Sequence, residues 1–543
     1  MSKFLRVRSR ITGLAFALAV ALSCFGAQAA FAAQHDYETG LTGDATPIEA
    51  ASAELAWSYN YQGSDAWAPA VSTPLVIDGD VYLASSSQMR ILDQATGAEK
   101  AVVDLPAAID YGARCAYVEG KVLVPLTGGS VVALEPGTLA TVWTSDPAPQ
   151  LAAGAQQVNS SLSVIDGRIY VATVVPSAHA SSGGNLMCLD AATGETLWTQ
   201  EETAGYYWAA ACEANGFAVI GADSGIVRAI ASDSATGDPV STLDLGTGVR
   251  SSAVADGNDV YIATMDGVLH RISVADDGTL AETGSAEFGD VSTSTPVVTA
   301  DSVIVGGGVA KSAGYGNDGV LAIVDKADMS VMQVKTVDGK PLAGEVKSRP
   351  LVSVQASGTY VYFTANGAEG WPYTSGGDLI MYKVGDTQAT SLFDPEGMNN
   401  WCMASVALGD DGMLLYTNDS GNLFAVKAKA SVEPGPDPDQ GGSGDGSGSG
   451  DGDGSGEGGN GSGSGSGEDS GSGDGTGDDS GAGAGGNADS EQQATPEDPG
   501  ADMQAGADRL PSTGDATAPL AFGLLVSAAI SAAGVLFAVR RAS

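Results

Sequence analysis

Three kinds of residue are scarce in this 543-residue chain, and each scarcity removes a class of function. Lysine and arginine number 24 against 66 aspartates and glutamates, for a formal net charge of −42. Nucleic-acid phosphates and anionic lipid are bound by basic side chains, so no nucleic-acid partner is expected. The charge suits a surface protein that repels its own copies and stays soluble. Histidine occurs only at His35, His179 and His270, which leaves little for histidine-centred acid–base or metal chemistry. His270, in Val268-Leu269-His270-Arg271-Ile272, reads as a strand residue facing solvent. Cysteine occurs five times, with no Cys-x-x-Cys-His haem site and no Cys/His cluster at zinc spacing. No Gly-x-Ser-x-Gly elbow or P-loop stands out, and the run Gly306-Gly307-Gly308 is unspecific.

What is present speaks first at the two ends. Lys3, Arg6, Arg8 and Arg10 form a basic segment, Ile11 to Phe25 is apolar, and Ala27-Gln28-Ala29 and Ala30-Phe31-Ala32 are small-x-small cleavage sites. Residues 1–32 therefore read as an export signal cut after Ala32, with Ala29 as the alternative. Cys24 follows Ala21-Leu22-Ser23, a poor lipobox, and goes with the discarded signal. At the other end Leu510-Pro511-Ser512-Thr513-Gly514 precedes an apolar run, Ala516 to Val539, and then Arg540-Arg541. At ~1.5 Å per residue the run is long enough to cross a ~30 Å hydrocarbon core. The arginines place the tail in the cytoplasm.

Residues 509–543 in this order resemble a Gram-positive cell-wall sorting signal of the LPxTG kind. The resemblance implies that a sortase cysteine thiolate attacks the Thr513 carbonyl and that a peptidoglycan amine resolves the acyl-enzyme. Pro511 holds Leu510 extended, as a groove-bound peptide requires. Gly514 leaves the scissile bond unobstructed. The alternative is a single-span anchor that is never cleaved.

Residues 431–508 hold no lysine or arginine and are dominated by glycine, serine and aspartate. Such a segment has almost nothing to bury and cannot offset its ordering entropy. It reads as a disordered stalk that would span roughly 45–55 Å on average, and more through self-repulsion. Its Asp-Gly steps lack the regular period of calcium-binding β-rolls. The remaining cysteines, Cys115, Cys188, Cys212 and Cys402, allow three pairings in an oxidising compartment, and free buried thiols are equally compatible.

Between about residues 50 and 430 one pattern recurs. A short strand ends in β-branched residues, a tight turn follows, then a Val-Tyr-type strand, then a strand ending in Asp. The clearest copy runs Leu162 to Ala172 and continues through Leu189-Asp190-Ala191-Ala192-Thr193-Gly194-Glu195-Thr196-Leu197-Trp198. Asp-Gly and Thr-Gly mark hairpin turns between strand-like runs. Other copies centre on Val81-Tyr82-Leu83, Val122-Leu123-Val124, Ala218-Val219-Ile220, Val260-Tyr261-Ile262, Val303-Ile304-Val305, Val361-Tyr362-Phe363 and Leu414-Leu415-Tyr416. Eight units of this size with four short strands each predict an all-β, eight-bladed β-propeller. Ala56-Trp57-Ser58-Tyr59 precedes the first copy, and the last copy ends at Phe424-Ala425-Val426 without an outer strand. Pairing the two would close the ring and hide both edges.

The Leu-Asp-Ala-x-Thr-Gly-x-x-x-Trp stretch resembles the PQQ-like repeat of quinoprotein-type propellers. In that family the tryptophan docks between neighbouring blades, and here Trp143 and Trp198 occupy its place. The resemblance brings in quinone-dependent dehydrogenases, yet their vicinal cysteine pair is missing, and no aspartate can be matched to their catalytic or calcium-binding residues. Asp78, Asp166, Asp190 and Asp266 read as turn supports. No cofactor is expected, with PQQ and calcium as the alternative.

Propellers also serve as rigid discs with a loop-built face, and loops on rigid scaffolds carry function. Insertions at Val175 to Gly183, Ala310 to Asp318 and Gly367 to Gly377 bring Tyr315, Trp371 and Tyr373 to that face. Tyr206-Tyr207-Trp208 and Asn399-Asn400-Trp401 lead into the inner strands of two copies, where they either line a pocket or plug the channel. The candidate binding face is therefore Trp371, Tyr373, Trp208, Trp401 and Tyr315. The expected function is a wall-anchored, non-enzymatic head that binds or scaffolds an extracellular protein or glycan. The alternatives are a redox enzyme and a cell-envelope assembly factor.

Overall fold

The computed structural model describes residues 41–42, 47–49, 52–62, 68–176, 181–311, 316–367 and 376–429. The export signal, the acidic segment, the sorting pentapeptide and apolar run, and Trp371, Tyr373 and Tyr315 lie outside the described residues.

Eight four-stranded antiparallel sheets follow one another as blades, each running from an inner first strand to an outer fourth. Blade 3 shows the plan with Ser163–Ile165, Arg168–Ala172, Gly184–Asp190 and Thr196–Glu202. Its first turn is a two-residue hairpin in which Asp166 has φ 50° and Gly167 φ 73°, as a primed turn requires. Asp78 and Gly79 repeat it in blade 1 with φ 50° and 77°. The Asp190 carboxylate accepts the Ala192 and Thr193 N–H groups and the Thr193 hydroxyl, and so closes the second turn.

The pleat explains why every blade is apolar on both faces. Successive side chains point to opposite sides. In Gly184–Asp190, Met187 and Leu189 pack toward blade 2, whereas Leu186 and Cys188 pack toward blade 4. Eight buried clusters result, one in each seam of the ring. The outer strands alternate instead, as in Glu99–Asp104, where one side faces water.

The ring closes as the sequence predicts. Ala53–Asn60 pairs antiparallel with Asn422–Ala428 and supplies the outer strand of blade 8. Trp57 on that strand packs on the Thr-Gly turn of blade 1, where a Cβ on Gly97 would lie 2.6 Å from its ring. Trp143 meets Gly194, and Trp198 meets Gly237, in the same way. Trp57 is thus a third docking tryptophan that the degraded first repeat conceals.

Other details differ from expectation. His270 is 8 % exposed rather than facing solvent, because it bridges strands inside blade 5. The two ends of the insertion at Ala310 to Asp318 continue a hairpin: Ala310 pairs with Asn317 and Val309 with Asp318. Gly306-Gly307-Gly308 lies in this hairpin because a Cβ there would meet Val346, Phe288 or Glu345. Leu41–Thr42 adds an unforeseen parallel strand inside Leu351–Gln355 of blade 7. All four described cysteines are free.

Candidate functional site

The inner strands run the same way, so the segments that enter them converge on one mouth of the axial channel. Thr73, Arg114 and Ser161 are linked there by parallel bridges between neighbouring segments. A cavity of about 80 Å³ sits at this mouth. Thr73, Arg114, Ser160, Trp208, Ser252, Thr295, Lys347 and Met403 line it, one from each blade's entry segment. The lining is dominated by short hydroxyl side chains and two cations, a polar ring on a rigid frame.

Trp208 is the expected aromatic that reaches the cavity. Its backbone has φ 59°, a left-handed conformation that a bulky residue holds only when its surroundings enforce it. Tyr207 meets its ring edge-on at 4.5 Å, and the Arg250 guanidinium lies 4.6 Å from the Tyr207 ring. Asp223 in turn receives two hydrogen bonds from Arg250, at 2.9 and 3.1 Å. Gly112 makes room: a Cβ there would lie 3.0 Å from the Trp208 Nε1. Tyr206 and Tyr207 are buried core residues rather than pocket walls.

Trp401 is also buried, at 4 % exposure, and so is not part of an open binding face. Tyr111 stacks on it at 6.2 Å, and the Lys347 ammonium sits 5.9 Å from its ring. Tyr111 donates to Asp419 at 2.9 Å. Burial pushes the Asp419 carboxyl up to about 6 despite that bond. Lys347 pairs with Glu345 at 3.3 Å. Trp401 therefore packs beneath Tyr111 and Lys347 without itself lining the cavity.

Arg114 stands apart. Its guanidinium donates to the Ser405 hydroxyl at 2.8 Å, and no carboxylate pairs with it among the described residues. Burial pulls its pKa down to about 10. Ser160 and Asn159 belong to the same lining, but the Ser160 hydroxyl and the Asn159 side-chain amide oxygen are buried away from the open space and have no hydrogen-bond partner. These residues were not singled out from the sequence. Their signal was positional: Arg114 is a rare basic residue at the point where other copies place Thr73 and Ser161.

A second constellation looks catalytic and is not. Thr264 Oγ1 lies 3.1 Å from His270 Nε2, and His270 Nδ1 lies 2.8 Å from a Glu282 oxygen, the order of a hydroxyl–imidazole–carboxylate relay. Thr264 is fully buried, and its hydroxyl donates to Asp266 at 2.7 Å. No substrate carbonyl can reach it, so the relay ties strands of blade 5 together.

The fit of a bound quinone and calcium can be tested on these residues. Ligand pockets typically span ~300–1,000 Å³, well above the about 80 Å³ found at the mouth. Among the described residues no three His, Cys, Asp or Glu side chains come together to hold a metal ion. Cys115, Cys188, Cys212 and Cys402 are not adjacent in sequence, so the vicinal pair cannot form. The residues present do not fit that group.

The family described as outer membrane protein assembly factor BamB, a PQQ-like repeat family, matches residues 127–209 and 182–431. Among solved structures, the chain is similar to a quinohemoprotein alcohol dehydrogenase from Pseudomonas putida HK5. That pair shares 14 % identity over 73 % of this chain and 80 % of the other, with a TM-score of 0.51. The quinohemoprotein alcohol dehydrogenase of Comamonas testosteroni matches at 14 % identity over 72 % and 79 % of the two chains, with a TM-score of 0.51. BamB from Moraxella catarrhalis matches at 16 % identity over 69 % and 99 %, with a TM-score of 0.45. No curated protein matches the chain in sequence.

Proposed function

Since this chain belongs to the PQQ-like repeat family of the outer membrane protein assembly factor BamB, we propose that its propeller is a non-catalytic binding head, held at the surface of a Gram-positive cell by sortase. The single observation that carries the non-catalytic reading is the small, hydroxyl-lined mouth of the channel, about 80 Å³, with no cluster of carboxylates to hold a metal ion among the described residues. The family is shared by dehydrogenases and by an assembly factor, so the fold alone does not choose between them. The loop face, with Trp371, Tyr373 and Tyr315, takes the extracellular protein or glycan. The terminal pentapeptide Leu510-Pro511-Ser512-Thr513-Gly514 supports covalent attachment to peptidoglycan.

A second reading, a factor in cell-envelope assembly, is favoured by the family description itself. It shares the non-catalytic head and differs only in the partner. Both are tested by a dye-linked alcohol oxidation assay on the purified protein incubated with PQQ and calcium. No turnover is expected, and saturable turnover would replace both readings with a quinoprotein. Anchoring is tested separately: protein released from digested walls should end at Thr513, and a peptide running past Gly514 would refute sorting.

A further inference from the structure

The inner strand of each blade turns one edge toward the channel. In seven blades that strand is two or three residues long. In blade 7 it has five, Leu351–Gln355. A longer edge carries more backbone N–H and C=O groups in search of a strand, and such an edge is a template for pairing. The chain answers it with its own N-terminal side: Leu41 lies opposite Val352 and Thr42 opposite Ser353, in parallel. Two of the five positions are thereby covered. Beyond them Val354 is 45 % exposed, although Val352 on the same face is fully buried against blade 6. Among the described residues the other exposed large apolar side chains lie on outer strands or beside turns. The residue after Thr42 in the sequence is Gly43, which has no side chain to lay beside Val354 and weakens a strand. Further along, Ile48 is 2 % exposed in the seam of blades 7 and 8, and its carbonyl accepts the Tyr362 hydroxyl at 2.6 Å. Release of Leu41–Thr42 therefore leaves this anchor and the closing strand Ala53–Asn60 in place.

We propose that the channel edge of blade 7 is a strand-acceptor site for an extended segment of another protein, kept closed by the chain's own Leu41–Thr42. The ligand runs parallel to Leu351–Gln355, with its N-terminal end toward the mouth. Main-chain bonds give it affinity, and a β-branched residue beside Val354 gives it preference. That preference separates the two sources of such a strand. A second copy of this chain brings the same Gly43 and gains nothing over the resident strand, whereas a partner with valine or isoleucine at that place displaces it. The site is distinct from the loop face and needs neither quinone nor metal, so binding of PQQ bears on the proposed function and leaves this site untouched.

The test uses fluorescent peptides of residues 37–46, one native and one carrying Gly43→Val, in anisotropy titrations of the purified protein. A Leu41→Pro/Thr42→Pro variant withdraws the resident strand, because proline has no N–H for the ladder. It should bind both peptides saturably, the Gly43→Val peptide a few-fold more tightly. The wild type should bind the Gly43→Val peptide more weakly than the variant does. Val354→Ala should erase the advantage of valine. Hydrogen exchange at residues 352–355 should quicken in the proline variant and slow again when peptide is added. If the proline variant does not fold, the wild type with the Gly43→Val peptide, set against Val354→Ala, carries the test. The proposal is overturned if neither protein binds the Gly43→Val peptide saturably. It is equally overturned if a peptide with proline at both 41 and 42 binds as well as its parent. Wild-type dimers that dissociate in the proline variant would assign the edge to a second copy and overturn the partner named here.

Discussion

Asp110 provides a quantitative handle on this fold. It sits between blades 1 and 2, 6 % exposed, and accepts the Val158 N–H at 2.8 Å and the Thr127 hydroxyl at 2.9 Å. Burial outweighs both bonds and raises the carboxyl from 3.8 to about 7. The unfolded chain therefore loses this proton near its ordinary pKa, while the folded chain keeps it until about pH 7. Folding stability must fall as pH rises across that window, because the folded state binds more protons there. At ~1.36 kcal/mol for each pKa unit, the full loss by about pH 8 is on the order of 4 kcal/mol. Asp110→Asn fixes the neutral state: its carbonyl oxygen accepts from Val158, and its amide donates to Thr127. Relative to wild type it should gain about 3–4 kcal/mol near pH 8, ~1–2 near pH 5 and almost nothing near pH 3. Urea melts of the two proteins across this range measure the difference, and the background repulsion of the acidic chain cancels between them. Parallel stability curves would refute the assignment of the buried proton to Asp110.

Other perturbations follow from the ring. Removing residues 53–60 strips blade 8 of its outer strand and should sharply lower the melting temperature; an unchanged melt would disprove strand exchange across the closure. Trp57→Ala removes a docking ring and its 2.8 Å hydrogen bond to the Gln94 carbonyl, and should cost ~3–5 kcal/mol in denaturant melts. Gly97→Ala should destabilise similarly, since φ is 70° there and the new Cβ would press on Trp57. Deleting Gly367 to Gly377 should abolish partner binding while leaving the melt intact; binding that survives would remove the loop face as the site.

The fold was legible because repeated chemistry reports itself eight times over. Asp-Gly turns, alternating apolar strands and the orphaned strand around Trp57 point to one closed ring. Where a copy had decayed, as around Trp57 and Gly97, the docking contact was hidden, since the ring and the turn it covers lie in different blades. The site was far less legible. Trp401 reads in sequence as either lining a pocket or plugging the channel, and Tyr111 from another blade covers it. Arg114, Ser160 and Asn159 look ordinary in sequence and gain meaning only when the entry segments converge on the axis. His270 misled for the converse reason: its strand position suggested solvent, but Thr264 and Glu282 on neighbouring strands enclose it.

The most direct measurement titrates the purified protein with PQQ and calcium, following quinone absorbance and the melting temperature together. A non-catalytic head with so small a mouth predicts no saturable change in either signal. A rise of several degrees that saturates with PQQ, joined to a shift in quinone absorbance, would contradict it and place the chain among the quinoproteins.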